Sequence, residues 1–292
     1  MFKYFIALLI CLGTTEAFAI LPDTVYVRKP EDLGLKYREL NVTTKDGYRI
    51  ATWFFPAQAQ QAANRQGKPV QRPTIIICNG DAGNMSYFQL HLAQAWTAEG
   101  FNVATFDWRG FGKSSPFPMD KNYLCYTEML EDYRAVVQCV ARQPETDKKA
   151  VIAMGWSTGA YMSMMTAYRN KAVKGFIGRS LLTDFEDIIP LIMEVKGKTR
   201  EQLIVPQDFP VHQMPVHIAK RFKKPVFLIN GANDKRTPLW MSEKILDLLP
   251  EKTPRELMVV PNAAHGDMED PLLIDFDNFI RKSSAFIRTC FQ

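Results

Sequence analysis

The stretch that most constrains this chain is Gly155-Trp156-Ser157-Thr158-Gly159. Residues 150–154 before it form a short apolar run that reads as a buried strand. Residues 160–168 after it carry helical spacing. A serine at a strand-to-helix turn, flanked by glycines, is held on a sharp bend that presents its hydroxyl as a nucleophile. A side chain at either flanking position would collide with nearby backbone, so both are glycine. The five letters alone arise by chance; the strand before and the helix after give them meaning. A bend of this kind calls for an open sheet, a base, an acid and a pair of backbone donors.

The rest of the chain alternates as a mostly parallel sheet requires. Residues 74–78 are an apolar run that reads as a strand buried on both faces. A glycine loop, Asn79 to Asn84, follows. Residues 86–99 have helical spacing and stop at Gly100. Residues 102–106 read as the next strand, and residues 127–142 as an amphipathic helix. After the serine come strands at 173–178, 225–230 and 256–260, and helices at 239–249 and 270–291. Residues 37–43 and 48–55 read as strands joined by Lys45-Asp46-Gly47, a hairpin signal. Residues 20–35 look irregular, and residues 56–72 read as an exposed connection. Residues 180–224 are too long for a plain connection and predict an inserted cap. No internal repeat or low-complexity tract is present.

The first residues differ in kind. Lys3 supplies a positive start, residues 5–12 are apolar, and Ala17-Phe18-Ala19 has a small-x-small cleavage pattern. This predicts a signal peptide over residues 1–19, cut after Ala19, and a periplasmic or secreted protein. Residues 20–292 are then a single domain, with the cap at about 180–224. The four remaining cysteines are Cys78, Cys125, Cys139 and Cys290. Cys78 reads as a buried free thiol, and pairing among the other three stays open. No pair has C-x-x-C spacing, and His212 and His217 are wrongly spaced for one helix face, so no metal site is expected. A formal charge of +5 without a long basic run predicts no nucleic-acid partner.

A serine hydroxyl needs a base, and the base needs an orienting acid. In strand–elbow–helix folds these follow the serine in the order acid, then histidine. Asp234 lies just past the strand at 225–230, and His265 just past the strand at 256–260. Open parallel sheets place their sites at such strand ends. His91 lies in a helix pattern and reads as a surface residue. Asp184, after an earlier strand, is the alternative acid. Asp267 is too close to His265 in sequence and reads as a solvated or capping carboxylate. Two backbone N–H groups must face the developing oxyanion. Thr158 supplies one; Asp81 supplies the other, with Ala82 as the alternative.

These motifs together resemble the α/β-hydrolase superfamily, in particular serine hydrolases of esterase, lipase or serine-aminopeptidase type. Asp107-Trp108-Arg109-Gly110-Phe111-Gly112-Lys113-Ser114 matches that family's D-x-R-G-x-G-x-S loop. Gly231, Asp234 and Pro238 match its G-x-x-D-x-x-x-P marker. The resemblance runs from about Tyr37 to the C-terminus. It departs in the oxyanion loop, where Asn79 replaces the usual histidine and Asp81 the usual asparagine. Asp107 also replaces the first glycine of a P-loop, and Pro116 and Pro118 follow, so nucleotide binding is not expected.

The resemblance implies an α/β-hydrolase fold and a cofactor-free serine hydrolase using Ser157, His265 and Asp234 on a small-molecule acyl substrate. Carboxylic esters are the default, with thioesters, peptides or a non-catalytic binding role as alternatives. The apolar cap residues Leu181, Leu182, Ile188, Ile189, Leu191, Ile192 and Met193 either line an acyl pocket or pack the cap onto the core; packing is expected for most. The basic residues of the cap read first as a solvated charged face, with a surface for anionic substrates or peripheral membrane contact as the alternative. Oligomeric state is left open.

Overall fold

The computed structural model describes residues 19–58 and 67–291. The expected leader falls almost wholly outside them. Strands β1 (Leu21–Pro22), β2 (Arg38–Glu39), β3 (Val42–Thr43), β4 (Arg49–Ile50) and β5 (Thr52–Phe55) open the chain. Then come β6 (Arg72–Cys78), β7 (Ala82–Gly83), α1 (Gln89–Ala98), β8 (Asn102–Phe106), α2 (Glu128–Val140) and β9 (Thr146–Trp156). They are followed by α3 (Thr158–Arg169), β10 (Gly175–Arg179), α4 (Phe185–Lys196), α5 (Pro215–Ile218) and β11 (Val226–Gly231). The chain closes with α6 (Leu239–Leu248), β12 (Arg255–Val260), α7 (Pro271–Ile274) and α8 (Phe276–Phe291).

Eight strands form the main sheet in the order β12-β11-β10-β9-β6-β8-β5-β2. The six from β12 to β8 run parallel; β5 and β2 pair antiparallel at one edge. This is the α/β-hydrolase fold. Side chains alternate across each strand, so each strand feeds two cores. Ile75 and Ile77 join Trp96 of α1 and Phe279 of α8. Ile76 and Cys78 face the other way, toward Tyr133 of α2 and Tyr161 of α3. Buried side chains of this size contribute about 2 kcal/mol each. Among the described residues no helix is long and apolar enough to cross a membrane.

The structure changes three sequence expectations. The predicted hairpin is four short strands: β3 and β4 pair as a separate two-stranded sheet, while β5 and β2 join the main one. Helix α1 starts three residues late, because the Asn84 side chain accepts the Ser86 N–H and holds that segment in a turn. The closing helix is broken at Asp275, whose backbone leaves helical space at φ −137°. The helix restarts at Phe276, where the Asp275 carbonyl accepts the Phe279 N–H at 3.0 Å and its carboxylate accepts the Asn278 side-chain amide at 2.8 Å.

Between β10 and β11 lie α4, α5 and several single helical turns. Phe185 of α4 meets Tyr161 of α3 edge to face at 5.7 Å. This stretch therefore shares the core layer of α3 and lies above the C-terminal ends of the parallel strands. Those ends also carry Asp81, Ser157, Asp234 and His265.

Candidate active site

Ser157 follows β9 directly, with φ 52° and ψ −116°. A non-glycine residue at positive φ is strained, and the surroundings hold it there. Its N–H donates to the Arg179 carbonyl at 2.9 Å. A Cβ on Gly155 would land on the Gly159 carbonyl, and a Cβ on Gly159 on the Asn79 carbonyl. Both glycines are thus required by backbone contact.

His265 Nε2 lies 3.1 Å from Ser157 Oγ, and His265 Nδ1 lies 2.9 Å from Asp234 Oδ2. Asp234 and His265 are buried, while Ser157 is half-buried at the pocket. Burial pushes the Asp234 carboxyl up, but bonds from His265 and Thr237 outweigh it and hold it below the usual carboxylate range. Asp184, the alternative acid, caps α4 by accepting the Asp187 N–H at 2.9 Å and lies 3.8 Å from His217. Asp267 is exposed. His91 is half-buried rather than at the surface and meets Arg28 at 2.8 Å.

Asp81 and Thr158 line the same pocket as Ser157 and His265. Thr158 opens α3, so its N–H points out of the helix start. Ala82 instead forms β7. The pocket holds about 440 Å³ of space, open solvent at its mouth included. Of the cap residues, Leu182, Phe185, Ile188 and Ile192 line it, while Leu181 and Ile189 pack into the core. Cys78, Cys125, Cys139 and Cys290 are all free thiols. Among the described residues no three His, Cys, Asp or Glu side chains gather as a metal site.

Sequence reasoning missed how this site is braced. Residues 20–35 were expected to be irregular, yet β1 pairs parallel with β7 of the oxyanion-side loop. Leu21 N–H donates to the Asp81 carbonyl at 2.8 Å, and Asn84 Nδ2 donates to the Val25 carbonyl at 2.7 Å. Tyr26 OH donates to Asp107 Oδ2 at 2.6 Å, and Asp107 Oδ1 accepts the Met85 N–H at 2.7 Å. Burial pushes the Asp107 carboxyl up to about 6, with the Tyr26 bond opposing that rise. The D-x-R-G-x-G-x-S loop is thus scaffolding. Its Arg109 is fully buried, 2.6 Å from Asp132 and 2.6 Å from Asp46. Its Ser114 Oγ donates to the Asp107 carbonyl at 2.7 Å.

Two further supports were not foreseen. Thr237 Oγ1 donates to Asp234 Oδ2 at 2.7 Å and lies 3.1 Å from His265 Nδ1. Arg179 is buried against Asp270 at 2.7 Å. Neither had a sequence signal beyond the Asp-x-x-Thr spacing at Asp234. Trp156 is half-buried and its Nε1 donates to the His265 carbonyl at 3.2 Å.

The sheet order and the elbow at its centre define the class: a serine hydrolase of α/β-hydrolase fold. The prolyl oligopeptidase family matches residues 86–291, and the chain belongs to that family. It is 26% identical over 246 residues to the uncharacterized protein YfhR of Escherichia coli (strain K12), covering 80% of this chain and 78% of that one. Protein bem46 of Schizosaccharomyces pombe is 22% identical over 214 residues, covering 73% and 65%. Among solved structures, the Pyrococcus furiosus esterase Pf2001 superposes with a TM-score of 0.74 at 18% identity, covering 94% of this chain and 98% of that one. A Mycobacterium tuberculosis puromycin-hydrolyzing peptidase superposes at 0.69 with 17% identity, covering 89% and 40%.

Proposed function

We infer that this protein hydrolyses carboxylic esters through an acyl-enzyme, with Ser157 as nucleophile. The observation that carries this reading is the hydrogen-bonded series from Ser157 Oγ through His265 to Asp234, at 3.1 and 2.9 Å. Ser157 Oγ attacks the ester carbonyl carbon as His265 Nε2 takes its proton. Asp234, held below the usual carboxylate range, keeps the proton on Nδ1 and stabilises the imidazolium. The Thr158 and Asp81 N–H groups stabilise the oxyanion. The tetrahedral species collapses, and the alcohol leaves with the proton from His265. Water then attacks the acyl carbon, giving its proton to His265, and the acid leaves as Ser157 regains its hydrogen.

The apolar wall of Leu182, Ile188 and Ile192 suits a short acyl chain, which favours esters. Peptide hydrolysis is the second reading, favoured by membership of the prolyl oligopeptidase family. A fluorophosphonate probe should label the purified protein, and Ser157→Ala should abolish labelling. Labelling that persists in that variant would overturn the assignment. Nitrophenyl esters of graded chain length, an acyl-thioester and an aminoacyl amide then separate the substrate classes. Turnover of the amide alone would replace the ester reading with the peptide one.

The leader pattern at residues 1–19 supports export to the periplasm or exterior. The mass of the protein recovered from that compartment should begin at Ile20. A mass that retains residues 1–19 would defeat the cleavage.

A further inference from the structure

The pocket at Ser157 is apolar on its cap side but also lined by Lys196 and Arg236. Lys196 sits in the last turn of α4, where a cation complements the carbonyl end of the helix. That accounts for a lysine at this end of α4, and not for its place in the pocket wall. Arg236 lies on the loop after β11, with its backbone N–H fixed on Asp234 Oδ1 at 2.9 Å. Among the described residues neither side chain has a carboxylate partner.

The charges around the pocket do not cancel. Asp234 is taken up by His265 and Thr237. Asp81 is the one other carboxylate in the wall. It faces the field of Lys198, which is only 7% exposed and has no hydrogen-bonding partner among the described residues. Burial and the neighbouring Lys196 pull the Lys198 ammonium below the ordinary lysine range, and Asp81 works against them. With Asp81 set against Lys198, the charges of Lys196 and Arg236 remain. Uncompensated cations beside an apolar wall attract an anion more strongly than they would in open water.

We propose that the Ser157 pocket selects esters that carry a second, anionic group, held by Lys196 and Arg236. This rests on the reading of Ser157 as the nucleophile of an ester hydrolase. The apolar wall takes the hydrocarbon part of the substrate. The two cations take the anion, as charge-assisted hydrogen bonds. Arg236 lines the same pocket as Ser157 and His265, so an anion it holds lies in the space where the substrate reacts.

Matched ester pairs test this. On the leaving side the pair is 4-butyryloxybenzoate and 4-butyryloxybenzamide. On the acyl side it is the 4-nitrophenyl monoester of adipic acid and its terminal amide. The expected result is a kcat/KM about tenfold higher for the anionic member of at least one pair, falling with added salt. Lys196→Gln with Arg236→Gln should collapse that ratio to near unity. Equal rates within both pairs, or a ratio unmoved by the double substitution, would overturn the proposal.

A binding measurement keeps this independent of turnover. Calorimetry of 4-butyramidobenzoate, the unreactive amide analogue, with Ser157→Ala protein should show affinity about tenfold above that for its neutral benzamide. Adding the double substitution should remove the difference. Loss of fluorophosphonate labelling specificity with this binding intact would remove the hydrolase reading alone. Labelling intact without this binding difference would remove the anion subsite alone.

Discussion

The Arg179 guanidinium lies 4.2 Å from the ring centroid of Trp156, the residue directly before Ser157. Asp270 holds Arg179 from the other side at 2.7 Å. The Trp156 indole N–H in turn holds the main chain at His265. A desolvated cation over an indole is worth about 2 kcal/mol. The end of β10, the elbow and the histidine loop are thereby linked through one side chain. Trp156 supports His265 from behind and does not line the pocket.

Trp156→Phe keeps an aromatic face under Arg179 and removes the N–H donor to His265. With His265 less firmly placed, kcat should fall about tenfold while KM stays near its original value. The lost bond should lower stability by about 1 kcal/mol. Steady-state kinetics on a nitrophenyl ester, beside a thermal melt, reads both. An unchanged kcat would show that the indole only fills space.

Thr237→Val removes the hydroxyl donor to Asp234 and keeps the backbone N–H of the same residue, which also bonds Asp234. The Asp234 carboxyl, held low in the folded protein, should then rise. A carboxylate with a lowered folded pKa adds stability above its unfolded value, lost as pH falls through the folded one. In the variant that loss should be smaller and complete at a higher pH. The acid limb of kcat/KM should move the same way. Stability at pH 7 should drop by about 1.5–3 kcal/mol, as for a hydrogen bond to a charged group. A pH profile superimposable on the original would contradict this.

Gly159→Ala would press its methyl group onto the Asn79 carbonyl at the end of β6. Two backbones would have to separate, with no flexible side chain to yield. A cost of about 3 kcal/mol is expected, a melting temperature lower by about 10 °C. Fluorophosphonate labelling should fall as well, because the shift reaches Ser157 and Thr158. A melt within 2 °C of the original, on the order of 0.5 kcal/mol for a chain this size, would mean the elbow is looser than drawn.

Tyr26→Phe takes one donor from the buried Asp107, whose carboxyl lies at about 6. Its folded pKa is raised, so its contribution to stability is full at low pH and fades as pH rises through that value. The Tyr26 bond matters most once the carboxylate is charged. The variant should therefore lose about 1.5–3 kcal/mol at pH 8 and much less at pH 5. Paired melts at the two pH values check this. Equal losses at both would show that Tyr26 acts only through packing.

The sheet was legible in the sequence because its strands are buried on both faces, as residues 74–78 and 102–106 show. Ser157, Asp234 and His265 were legible as places because each lies at or just past the C-terminal end of a strand of the sheet. What escaped was held together by distance in sequence. Tyr26 meets Asp107 across 81 residues, and Arg179 meets Asp270 across 91. A lone tyrosine in an irregular stretch carries no periodicity, and one arginine at a strand end carries none either. The break at Asp275 escaped for the opposite reason: the apolar spacing of residues 270–291 continues through it, and only a local backbone turn ends one helix and starts the next.

The pairing of β1 with β7 also bears on how the protein is made. Leu21 leaves the ribosome well before His265. Leu21 holds the Asp81 carbonyl and His265 faces Ser157, so a chain cut short of His265 keeps the strap and the elbow with no histidine beside them. Reactivity at Ser157 therefore reports that synthesis has passed His265 and that β1 has met β7. A change that pulls on Leu21 acts directly on the Asp81 loop.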